Sequence, residues 1–162
     1  MYRTLIFVLI SLSISIYATY AQTPIERLIS KYESVPGAKE IGAEGAKMSI
    51  ARVMIRQSPV APIASDVEEV EILKMEGASR QYQNQFFKDL NEALKSYDYI
   101  GKHSSKNGEV DVYILKSGPQ TVRELVVYNP AIYSLNSFKG TFSVDALQKL
   151  ESESILSPQC LQ

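Results

Sequence analysis

Apolar residues change their spacing along this chain, and the changes mark out its elements. Ile25, Leu28, Ile29 and Tyr32 recur at helical spacing behind Thr23-Pro24, an N-cap followed by proline at the first helical position. A helix is predicted over 24–33, ended by Val35-Pro36-Gly37. Residues 38–42 read as a short strand, with Gly42 and Gly45 turning the chain into a second helix over 47–57. Two prolines, Pro59 and Pro62, then forbid a helix. Residues 67–75 carry Val70, Ile72, Leu73 and Met75 without a helical cap, and read as a strand covered on both faces. The clearest helix is 80–97, where Tyr82, Phe86, Leu90, Ala93, Leu94 and Tyr97 form one stripe behind a Ser79 cap.

Beyond residue 98 the period becomes two. A strand over 99–104 leads into Asn107-Gly108, a strong hairpin signal. Over 109–116, Val110, Val112 and Ile114 share one face, and Asp111, Tyr113 and Leu115 the other. After Ser117-Gly118-Pro119 comes a strand over 121–128, with Val122 and Val126 on one face and Leu125 and Val127 on the other. Asn129-Pro130 turns into a last strand over 132–139 that Gly140 ends. Ser143 caps a closing helix carrying Val144, Leu147 and Leu150. This order predicts one α+β domain over 22–153. Its single mixed or antiparallel sheet combines a C-terminal four-strand meander with two earlier strands, and helices pack on one face. The early strand–helix–strand steps favour parallel crossovers. Residues 154–162 are expected to form a flexible tail.

The residues ahead of this domain read differently. Arg3 precedes an apolar run from Leu5 to Ile16, and small residues follow at Ala18, Thr19 and Ala21. These are the parts of a secretory signal peptide, and the run is short for a membrane span. Residues 1–21 are expected to be cleaved after Ala21, which places the protein in the periplasm or outside the cell. Gln22 at the new N-terminus lacks the sulfur that a lipid anchor needs, so no stable membrane anchor is expected after cleavage.

Composition narrows the partners. The chain has 17 basic and 18 acidic residues. The leader holds one of the basic ones, so the rest carries a net charge of about −2 and makes no electrostatic case for nucleic acid. The lone cysteine, Cys160, cannot form a disulfide within the chain. A monomer is expected, with a Cys160-linked dimer left open.

Chemistry-bearing motifs are sparse. His103 is the single histidine, no Gly-x-Ser-x-Gly elbow accompanies it, and it reads as a solvent-facing strand residue. One histidine and one tail cysteine make no convincing zinc set. Asp66, Glu68, Glu69 and Glu71 could attract a cation, but strand alternation points Glu69 and Glu71 away from Glu68. The segment "GAKEIGAEGAK" has glycines but lacks the Gly-Lys-Ser/Thr ending of a phosphate loop. No catalytic residue, cofactor or metal site is assigned. The excess is in tyrosine: of ten, seven follow the leader, and Tyr99, Tyr113, Tyr128 and Tyr133 fall on predicted strands. Tyrosines facing out of a sheet suit protein or peptide recognition.

The segments "LISKYESVPGAKEI", "FFKDLNEALKSYDYIGKHSSKNGEVDVYILK" and "ELVVYNPAIYSLNSFKGTFSVDALQKL" resemble a family of small exported bacterial proteins, catalogued as domain of unknown function 4252. The matching features are a helix ending in a Lys-Tyr pair, an amphipathic helix closing on Tyr97 and Tyr99, the hairpin, Gly140 and the apolar closing helix. The resemblance implies export in a Gram-negative cell and brings no catalytic motif. The expected function is a non-enzymatic protein- or peptide-binding module of the cell envelope. Its candidate contacts are Tyr113, Leu115, Tyr128 and Tyr133, or the 59–62 loop. The alternatives are a small hydrolase using unidentified carboxylates and a small-ligand carrier.

Overall fold

The computed structural model describes residues 22–56, 61–105 and 108–147. The proposed leader, Pro59 and Cys160 lie outside them, as do the Asn107 turn position and the expected tail. Helix α1 (Pro24–Tyr32) begins as its sequence suggests. Thr23 Oγ1 accepts from the Glu26 amide at 3.1 Å, and Glu26 Oε2 accepts from the Thr23 amide at 3.0 Å. Strand β1 (Lys39–Glu44) follows, then a 3-10 turn at Gly45–Lys47 and helix α2 (Met48–Ile55). After β2 (Val67–Lys74) comes α3 (Arg80–Ala93), extended by a 3-10 turn to Ser96. Strands β3 (Asp98–Ser105), β4 (Gly108–Gly118), β5 (Thr121–Asn129) and β6 (Ser134–Ser143) complete one sheet. Ser143 then caps a helical turn, accepting from the Ala146 amide at 3.1 Å.

The class is α+β with a single six-stranded sheet, ordered β1-β2-β6-β5-β4-β3 and antiparallel throughout. The parallel crossovers expected early in the chain do not form between neighbours. Two-turn α2 does not carry the chain back along the sheet, so β2 re-enters beside β1 in the opposite direction. β2 and β3 run the same way, but the returning meander places β6, β5 and β4 between them.

Helices also lie on both faces rather than gathering on one. The reason is written into β5, which is apolar at every position from Leu125 to Tyr128, so each face needs cover. On the first face, Leu73, Val126, Tyr128 and Leu135 pack under α1 and α3, with Ile25, Ile29, Phe86 and Leu90. On the second, Val70, Ile114, Leu125 and Phe142 pack under α2, with Met48, Ile55 and Ile63. Asp89 joins the two helices of the first face, accepting from Lys31 Nζ at 2.6 Å and from the Tyr32 hydroxyl at 2.7 Å.

Three details depart from simple alternation. The β5 register shifts between Val122 and Glu124 against both neighbours, which moves Val122 to the second face with Leu125 instead of Val126. β6 runs through Gly140 to Ser143 rather than ending there. A Cβ at Gly140 would lie 2.0 Å from the Asp66 carbonyl oxygen, so glycine there lets the chain entering β2 lie against β6. Tyr133 sits in the turn before β6, at φ 47°, and not on a strand.

Candidate functional site

Two regions at opposite edges of the sheet expose functional side chains, and both lie on the α1/α3 face. The first is a groove over β1 and β2. Strand alternation puts Glu40, Gly42 and Glu44 of β1 on this face, opposite Leu73, Glu71 and Glu69 of β2. Glu40, Gly42, Glu44, Glu69 and Glu71, with Lys47, line an open depression of about 350 Å³. Gly42 contributes no side chain, and the Glu40 carboxylate lies over it, its Oε1 2.8 Å from where a Cβ would stand.

The inner wall of the groove is an ion-pair cluster. Lys139 of β6 is the cross-strand partner of Glu69. Its Nζ lies 3.0 Å from Glu69 Oε1, 2.8 Å from Glu71 Oε2 and 3.2 Å from Glu26 Oε1 of α1. The contact with Glu71 has the distance of an ion pair without hydrogen-bond alignment. Only 14% of the Lys139 side chain is exposed. Burial alone would lower its pKa, but Glu71 and Glu69 outweigh burial and hold the ammonium above the usual lysine value. Glu71 is pushed up, chiefly by burial and further by the charges of Glu69 and Glu26, against the opposing pull of Lys139. Glu26 therefore serves two structures, closing the capping box of α1 and tying that helix to the sheet.

Behind the cluster lies a second polar group. Glu124, the cross-strand neighbour of Lys139, is 0% exposed. Its carboxyl accepts from the Tyr97 hydroxyl at 2.6 Å and from the Ser137 hydroxyl at 2.7 Å. Burial, then Glu124, pushes the Tyr97 hydroxyl far above its usual value. The trio is sealed from solvent, and its role is to hold α3's end, β5 and β6 together.

The second region is the tyrosine flank. Tyr99 on β3 and Tyr113 on β4 are cross-strand partners whose rings lie 5.1 Å apart, tilted by 52°. Tyr99 is 53% exposed, and its hydroxyl donates to Asp111 Oδ1 at 3.2 Å. Tyr113 and Leu115 are half-buried against the first-face core. The other two residues expected at a contact surface lie elsewhere. Tyr128 is core, tilted against Phe86 at 6.3 Å, with its hydroxyl pushed up to about 12 by burial. Tyr133 is half-buried in its turn, and its carbonyl accepts from the Met75 amide at 2.9 Å. His103 lies on β3 opposite Val110, half-buried. Pro62 lies in a 3-10 turn.

Strand alternation foretold that Glu69 and Glu71 point away from Glu68. It missed that they converge on Lys139 with Glu26, because that meeting needs the β2–β6 pairing and the seat of α1. Glu40 and Glu44 carried a weaker signal, alternating about Gly42. Among the described residues no group of histidine, cysteine, aspartate and glutamate is arranged to hold a metal ion. No helix among them is long and apolar enough to cross a membrane.

A single antiparallel sheet clothed by helices, with an acidic groove at one edge and the Tyr99–Tyr113 pair at the other, defines the class only by its shape. Comparison with protein families adds descent: a family model described as Domain of unknown function (DUF4252) matches residues 45–150. The chain belongs to that family. No curated protein and no solved structure matches it.

Proposed function

We propose that this chain is a non-enzymatic binding module of the cell envelope, exported and released after cleavage behind Ala21, which takes up a protein or peptide. The observation that carries the reading is the exposed Tyr99, tilted against the half-buried Tyr113 beside a β3 edge that no other described strand covers. Such a pair offers rigid apolar area with polar tips at little entropic cost. Leu115 extends the flank toward the core. The test is affinity capture of the full tagged chain, exported in its native host and cross-linked, with partners read by mass spectrometry. One reproducible envelope partner, lost from a Tyr99→Ser/Tyr113→Ser chain that still folds, supports the reading. Recovery of that partner undiminished by the double substitution removes it.

The hydrolase alternative has one observation in its favour. Glu71 is raised and Glu69 stands beside it on Lys139, in an open groove, as an acid and a base would be arranged. Turnover of glycoside or ester substrates that disappears in Glu71→Gln would establish it. The groove's carboxylates suit a cationic ligand better than the apolar one a carrier would hold.

A further inference from the structure

We infer that the β1 edge, opposite the tyrosine flank, is a docking site for an extended basic segment of a partner, which adds to the sheet as a further strand. Among the described strands β1 is an outer one, so every second residue turns its backbone N–H and C=O away from β2. All of its residues but Ala43 are exposed.

The two sides of this edge differ in chemistry. On one side lie Glu40 and Glu44, with Glu69 and Glu71 behind them, around the open groove. On the other lie Ile41, 53% exposed, and the half-buried Ala43 and Ile72, with the exposed Lys39 and Lys74 paired at the strand's start. A strand laid along β1 would send alternate side chains to these two sides. The matching occupant alternates cationic and apolar residues. Its cations meet Glu40 and Glu44 at the groove's rim, and its apolar side chains cover Ile41.

Charge complementarity settles the sign. Four carboxylates line the groove, against Lys47 within it and Lys139 at its inner wall. The same carboxylates shield the edge from neutral or acidic strands, which would leave them desolvated and unpaired. A second copy of this chain joined along the edge would bring two grooves together, each with four carboxylates against its own Lys47. The Glu40 carboxylate lies over Gly42, its Oε1 2.8 Å from where a Cβ would stand, so an entering cation meets that carboxylate first.

The test uses the full chain recovered after export and a fluorescein-labelled octapeptide alternating lysine and valine. Controls are a peptide of the same composition in two blocks and one alternating glutamate and valine. The alternating basic peptide should bind at least about tenfold tighter than either control. Amide exchange should slow across Lys39–Glu44. Glu40→Gln with Glu44→Gln should weaken binding roughly fivefold, and Glu92→Gln, on α3, should leave it unchanged. N-methylation of alternate peptide amides, tried in both phases, should abolish binding in one phase. Equal binding of the block and alternating peptides overturns strand addition, because it shows a diffuse attraction of cations. No peptide binding overturns the inference, as does a dimer whose interface protects Lys39–Glu44. The binding-module reading rests on the captured partner and the tyrosine flank, so its own test separates the two failures.

Discussion

Lys139→Met is the most informative single change, because one ammonium holds three carboxylates. Methionine keeps the side chain's reach and apolar stem. What it removes is the charge, leaving Glu26, Glu69 and Glu71 facing one another. Stranding a fully buried ionic partner costs about 3–5 kcal/mol, whereas an exposed pair is worth under about 1 kcal/mol. The three carboxylates are 18–30% exposed, which places the loss between those limits, at about 2–3 kcal/mol near neutral pH. The pH dependence gives the sharper test. Glu71 is raised in the folded chain, so the folded state keeps that proton longer than the unfolded state does. Ionising it subtracts stability as the pH climbs from the ordinary glutamate range through the raised value. Without Lys139 the pull that limits this rise is gone. The substitution should therefore cost most near neutrality and progressively less toward about pH 4, where carboxylates take up protons. Lys139 itself is raised, so its own contribution is fully present throughout this window. Urea unfolding followed by far-UV circular dichroism measures the loss, the chain having no tryptophan. Glu71→Gln added to Lys139→Met should restore part of the stability. A loss below about 0.5 kcal/mol, or one equal at neutral and acid pH, refutes the reasoning.

Other substitutions separate the roles of neighbouring residues. Tyr97→Phe leaves the buried Glu124 with Ser137 as its hydroxyl partner, and should cost about 1.5–3 kcal/mol in the same unfolding assay. Phe86→Ala, in the first-face core, should cost about 3–5 kcal/mol, whereas Phe87→Ser, at a position 47% exposed, should stay within about 0.5 kcal/mol. Gly140→Ala places a Cβ against the Asp66 carbonyl and should lower stability by about 1–3 kcal/mol or more, read as an earlier thermal midpoint.

Periodicity carried most of the fold. The α3 stripe from Phe86 onward, the β3–β4 hairpin pairing and the alternation of β4 each depend on neighbours in sequence, and each is found where the pattern put it, while Tyr82 at the head of the stripe is exposed. The sheet order is not legible in that way. Whether β2 pairs with β6 depends on where the meander returns, and no local spacing encodes it. The same limit governs the site. Tyr113 and Leu115 were visible as an outward pair on β4, but Tyr128, with the same alternation, is covered by α3 and became core. Lys139 looked like the last residue of a strand, and only the seating of α1 against β2 and β6 makes it the centre of three ion pairs. The slip at Val122 had no signal in residue type, since valine suits either face.

The span recognised by descent and the unit that folds do not coincide. The family match begins at Gly45, one residue past β1. A chain begun there would lack Ile25, Leu28, Ile29 and Tyr32, so Phe86 and Leu90 would lose their cover. β2 would also become an outer strand, its Val70, Ile72 and Leu73 guarded only by the charges of Glu68, Glu69, Glu71 and Lys74. Shared ancestry here marks out the later part of the domain, while the segment ahead of it supplies α1 and β1, which cover that part's apolar surface. Anyone trimming this protein to its recognised region would uncover the β2 edge and the apolar side of α3 together.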